Sequence, residues 1–297
     1  MITALNFMLA PFAACLILIF IMVYFGIHVI EREIIFIDIA LAQIAALGSA
    51  VSLVLNILNI GHQHHVPEHD SRTFMAYLFC LLAAGIFTLL KNKQIKIPLE
   101  AIIGIAYAVA TTSAVIILDK GAGSDVHIHD MLTGTILWIS WHQVMRLFLV
   151  LLVIGGFHYL FREKFKALTL TYQGKEAKIN NPGFWDFMFY FTFGVVIVEA
   201  VSVGGILTIF AFLIIPASIS ALFATRWTKR ILVGLLVGGI ATILGLYLSW
   251  VMDVPCSPTI VLFLAACLLL SVLFKAILKY HNLIRKKNDS ISSSLKL

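Results

Sequence analysis

The run FWDFMFYFTFGVVIVEAVSVGGILTIFAFLIIPASISALFA, from Phe184 to Ala224, decides the fold. It is apolar over roughly twice the ~20 residues that cross a bilayer. Gly204 and Gly205 stand at its middle, and residues without a Cβ permit a tight reversal there. The reading is two spans, about 184–203 and 206–224, joined by a turn near the outer membrane face. Pro216 removes a backbone donor inside the second span and is expected to kink it.

The rest of the chain has the same character. Of 297 residues, 61% are hydrophobic and 12% charged, and the mean hydropathy is +1.01. A soluble domain averages about 45–50% apolar and about 25% charged residues, so the solvent for this surface is lipid. Further spans of about 20 residues read at roughly 7–30, 34–60, 74–90, 98–118, 141–161, 231–250 and 258–279. The fold class is therefore an all-α polytopic membrane protein with about 8–9 transmembrane helices. The run MLTGTILWIS, 131–140, is apolar but short and reads as a half-helix or re-entrant segment. The first apolar run is too long for a signal sequence and has no basic segment before it, so no cleavable signal is expected. Cys15, Cys80, Cys256 and Cys267 are scattered without a CxxC pair and read as small membrane-helix residues.

Charge sets the orientation. Alternating the connections puts all but Arg72, Lys120 and Arg146 of the 21 Lys and Arg residues on one side. Basic loops stay in the cytoplasm, so the N-terminus is expected outside and the C-terminal tail inside. That accounts for the net charge of +6 without nucleic acid as a partner. Residues 1–280 then form the transmembrane domain and 281–297 a polar, basic cytoplasmic tail. The cytoplasmic segment 162–183 is long enough for two short helices and is either an ordinary basic loop or a docking platform for a cytoplasmic partner.

The outer loops differ in kind. Residues 61–73 hold His62, His64, His65 and His69 beside Glu68 and Asp70, and 119–130 hold His127 and His129 beside Asp125 and Asp130. Imidazole and carboxylate together suit zinc, manganese or iron. The loops are either a metal-gathering surface or ordinary solvated polar loops that happen to use His; the spacing is too irregular for a closed structural zinc site.

Several stretches resemble one family. GGILTIFAFLIIPASISALFA (Gly204 to Ala224) is similar to the "GxLLVxxLLIIPAxxAxLL" signature of the ABC-3 permeases, the membrane subunits of zinc, manganese and iron ABC importers (type II). GLYLSWVMDVPCSPTIVL (Gly245 to Leu262) resembles their "GLxLSxxxDxPxGPxIVL" ending, with Cys256 and Ser257 where a small residue and Gly are usual. FWDFMFYFTFG (Phe184 to Gly194), HDMLTGTILWISW (His129 to Trp141) and FIDIALAQIAALGSAV (Phe36 to Val51) resemble further family elements in the right order. The resemblance implies a homodimer, or a heterodimer with a second permease, and a transport path at the dimer axis. It also implies a separate cytoplasmic ATP-binding subunit docked on 162–183 and an extracytoplasmic metal-binding protein. No cofactor is expected to be held permanently; the metal is cargo, with zinc first and manganese or iron next. The chain carries no GxxxxGK[ST] loop, so it is not expected to be an enzyme, and ATP hydrolysis is expected in the partner.

Ionisable residues inside spans mark the candidate path. They are Asp38, Glu199, His142 and Arg146, with His28 nearer a surface. Asp38 matches the Asp of the family's "GDALSHA" element, but Gln43 falls where its His is expected when Gly48 is aligned. The two lie about 140° apart around a helix, and Gln offers a neutral oxygen, so the family's paired ligands do not carry over intact. Asp38 either faces the path or is a capped or hydrated carboxylate near the cytoplasmic end. Glu199 would cost about 2.5–3.5 kcal/mol if ionised toward lipid, so it should face the interior, hydrated or paired. His142 and Arg146 read as interfacial anchors alongside Trp138 and Trp141. The alternatives to an ATP-driven importer are a secondary active divalent metal transporter, which needs more ionisable groups deep in the spans, and a membrane metalloenzyme, for which HExxH is missing.

Overall fold

The computed structural model describes residues 2–57, 68–91, 97–119, 136–175 and 179–294, with side chains placed over 8–55, 71–91, 97–117, 136–175 and 179–281. Among the described residues every regular element is helical. The order is α1 (Ile2–Glu31), α2 (Ile37–Ile57), α3 (Glu68–Leu90), α4 (Leu99–Asp119), a 3-10 turn (Ile136–Trp138), α5 (Trp141–Leu160), α6 (Arg162–Tyr172), α7 (Pro182–Phe223), α8 (Trp227–Met252) and α9 (Cys256–Ser294). Eight of these helices, all but α6, are long and apolar enough to cross a membrane.

Helix α7 has 42 residues. As a straight rod it would be about 63 Å long, twice the hydrocarbon core. It folds back instead at Gly205, where φ is 73° and ψ is 159°, a region open essentially to glycine alone. The packing along α1 establishes the reversal. The Phe25 ring lies 5.5 Å from that of Phe189 and 4.9 Å from that of Phe193. The next residue, Gly26, faces Leu213 and Ala217 from beyond the turn. A first limb (182–204) and a second limb (206–223) thus run antiparallel, with the break at the glycine pair. The turn sits beside Leu18, about 20 Å along α1 from Glu31, deeper in the bundle than the face where the sequence put it. Helical dihedrals persist through Pro216; the break comes at Gly205, where positive φ is needed.

This predicts a clear asymmetry between the two glycines. Gly205→Ala forces an L-residue into the glycine-only region, at a cost of about 1–3 kcal/mol. A Cβ at Gly204 meets side chains and no backbone, nearest the terminal Cδ1 of Ile209 at 2.8 Å. Thermal unfolding in detergent should therefore show a larger loss for Gly205→Ala than for Gly204→Ala. The opposite order would place the turn elsewhere.

Helix α1 is the hub. Leu18, Met22, Phe25 and Val29 are fully buried, and α1 packs against α5, α6, α7 and α8. Helices α2, α3 and α4 form a second group joined to α7, and α9 packs on α7 and α8. The outward face of α9 shows Leu269, Leu270, Leu273 and Ile277 to the surroundings, as a lipid solvent allows. The helix continues to Ser294, through most of the segment read as a polar tail.

Among the described residues, segment 162–183 holds one short helix, α6, ahead of the start of α7. In α6, Phe165, Leu168 and Thr169 are buried while Arg162, Glu163 and Lys164 are exposed, so it is amphipathic. Asn181 takes the left-handed conformation, φ 55°, and Pro182 opens α7; Asn tolerates that region and proline suits a first helical position. In 131–140 the described part holds only the 3-10 turn, after which Ser140 and Gln143 form a capping box that starts α5; 131–135 lie outside the described residues.

Candidate functional site

Polar groups in this bundle fall at distinct depths. In the half near the Gly205 turn, Glu199 of the first limb accepts a hydrogen bond from the Tyr77 hydroxyl of α3. It also pairs with Arg146 of α5, Nη2 to Oε1 at 3.0 Å. The Glu199 side chain is 7% exposed and that of Arg146 38%. The expectation that Glu199 is paired and inward holds. Arg146 serves as that partner and not merely as an interfacial anchor, because a buried carboxylate one helix away draws the guanidinium inward. His142, Trp138 and Trp141 remain exposed.

Asp38 lies in the first turn of α2 and is 3% exposed. Among the described residues its Oδ1 has no hydrogen-bond partner. Gln43, half-buried, follows on a different face of the same helix. Among the described residues no group of three or more His, Cys, Asp and Glu is placed to hold a metal. His62, His64, His65, His127 and His129 lie outside the described residues, and His69 is in the first turns of α3 with its side chain outside them.

The sequence reading missed the cluster at the opposite end. Asp186, 2% exposed, accepts from the Tyr172 hydroxyl at 2.9 Å and from the Lys91 ammonium, and lies 3.6 Å from Arg32 Nη1. Arg32 Nε donates to Thr169 Oγ1 at 3.0 Å, and the guanidinium lies 3.7 Å from the Phe189 ring centroid. Glu31 accepts from Gln173 and from Arg230. The ends of α1 and α3 and the starts of α7 and α8 thereby converge on α6. Burial pushes the Tyr172 hydroxyl up, and the nearby Tyr190 and Asp186 push it further, against a smaller opposing pull from Arg32. It stays protonated and remains a donor. Beneath this cluster His158 bridges Tyr24 at 3.1 Å and Thr192 at 2.8 Å and stacks on Phe165. The one signal that could have found Asp186 is a carboxylate four residues past the proline that opens an aromatic-rich span.

The bundle, the folded-back α7 and the amphipathic α6 match a known arrangement. The sequence model of the ABC 3 transport family aligns with residues 4–275. The chain belongs to the ABC 3 transport family. This ABC 3 chain is 31% identical over 206 residues to the manganese import system permease protein ScaB of Streptococcus gordonii, covering 66% of this chain and 70% of that one. It is 24% identical over 200 residues to the manganese transport system membrane protein MntC of Listeria monocytogenes, covering 67% and 70%. Among solved structures, PsaBC from Streptococcus pneumoniae in complex with Fab shares the fold, with a TM-score of 0.69 and 20% identity over 89% of this chain and 90% of that one. The ABC 3 chain is thus a multi-pass membrane permease, and Glu199, Asp38 and the Asp186 cluster lie within or at the ends of its spans.

Proposed function

We propose that this permease carries a divalent first-row metal into the cell, manganese foremost, as the membrane subunit of an ABC importer. The observation that carries the reading is its similarity over two thirds of its length to permeases named for manganese. The sequence alone favoured zinc, on the strength of the outer histidines. The named relatives give manganese the better support. Two copies of the permease enclose the path, a separate ATP-binding subunit docks on α6, and an extracytoplasmic metal-binding protein delivers the ion over the His-bearing loops. The charge distribution supports this orientation: α6 exposes Arg162 and Lys164 at the end where Arg32, Lys91 and Arg230 gather, and basic groups stay cytoplasmic.

The test is metal content in a strain lacking this chain. Cellular manganese should fall several-fold when the medium is manganese-poor, with zinc and iron little changed, and the unaltered chain should restore it. A selective fall in zinc or iron would reassign the cargo. Unchanged levels of all three would defeat the reading.

A further inference from the structure

The Asp186 cluster contains more charge than docking a helix needs. Phe165 and Leu168 alone give α6 an apolar face against the bundle. Beside them sits a buried carboxylate that accepts from Tyr172 at the end of α6 and from Lys91 after α3, with the Arg32 guanidinium after α1 paired to it at 3.6 Å. Taking such charges out of water is costly, and a buried ion pair is weak as a source of stability. What the arrangement fixes is geometry. Asp186 lies near the start of the first limb, a helix of about 33 Å that leads to Glu199 and then to the Gly205 turn. The far end of that limb is also tied, through Glu199, to Tyr77 of α3 and Arg146 of α5. Helix α3 therefore grips the first limb at both ends. The unit of α5 and α6 does the same, through Arg146 and Tyr172.

We propose that Asp186 is the positioning residue that couples α6 to the path: it locks α6 to the first limb, so that displacing α6 moves the limb and its Glu199 end as one body. The inference rests on the reading of this chain as an ATP-driven permease. Without the lock, α6 still meets its partner through its exposed Arg162, Glu163 and Lys164, but its movement is lost at the Tyr172 end.

The experiment uses the permease assembled with its ATP-binding partner in proteoliposomes, with manganese uptake and ATP hydrolysis measured on the same sample. Asp186→Asn keeps the size of the side chain and removes its charge. It should leave hydrolysis within about two-fold and lower the manganese moved per ATP by at least about five-fold. Tyr172→Phe removes only the hydrogen bond from α6 and should lower that ratio about two-fold; it carries the test if Asp186→Asn fails to assemble. An unchanged ratio in the variants, including rates that fall together, overturns this inference alone. Uptake by the unaltered complex that ignores ATP overturns the transport reading and this inference with it.

Discussion

Gly26→Ala should unfold the permease at a markedly lower temperature than the unaltered chain. A Cβ built at Gly26 of α1 would lie 2.0 Å from the Leu213 carbonyl oxygen and 3.0 Å from Ala217 Cβ, both on the second limb of α7. The first of these atoms belongs to a helix backbone and cannot rotate aside. In lipid there is no hydrophobic drive to hold helices together, so close backbone approach through small residues carries much of the packing. Separating α1 from the second limb should cost about 3 kcal/mol, the upper end of overpacking, or about 6–12 °C in the unfolding midpoint. Gly156→Ala on α5 is the control, since a Cβ there meets nothing within 4 Å, and it should stay within about 0.5 kcal/mol. Equal midpoints for the two variants in detergent would mean that α1 and the second limb do not touch at Gly26.

The crossing segments were legible because span length is a bilayer property: a run near 20 apolar residues has one common use. The Gly205 turn was legible for a second reason, since a run twice that length must break, and the glycine pair marked where. Helix pairing was not. Spans apolar on every side lack the polar stripe that tells which face turns inward in a soluble helix. Nothing in sequence separation announces that Gly26 meets Leu213, or that Arg146 reaches Glu199.

The candidate site was legible to the extent that it is made of charges within apolar runs. Glu199 stood out for that reason, and its need for a partner followed from the cost of exposing it to lipid. Arg146 looked like an interfacial anchor because it lies near two tryptophans at a span end, a local cue that outweighed a partner on another helix. Asp186 escaped notice because it sits at the edge of a span, where a carboxylate is ordinary. Only the convergence of Arg32, Lys91 and Tyr172 shows it to be enclosed. Asp38 was found and is buried, yet Gln43 does not join it on one face of α2, because the helical repeat turns the two apart.

The Glu199 cluster makes the second large prediction. Among the described residues, Arg146→Met leaves the carboxylate of Glu199, buried beside apolar helices, with the Tyr77 hydroxyl alone to serve it. Breaking a fully buried pair costs about 3–5 kcal/mol; Arg146 is 38% exposed, so solvent screening discounts this to about 2 kcal/mol. Glu199→Met should cost a similar amount by stranding the guanidinium. The double variant, which removes both charges and fills the space with apolar atoms, should recover most of the loss, because a buried pair is nearly neutral against a well-packed apolar replacement. Tyr77→Phe removes one neutral donor and should cost about 1 kcal/mol. Unfolding midpoints in detergent complete the cycle. Losses that add in the double variant would show that Arg146 and Glu199 act independently, and would remove one of the two ties that hold the first limb to its neighbours. Recovery of stability without recovery of manganese uptake would separate two roles of the pair: the charges would then be dispensable for holding the helices and required for moving the ion.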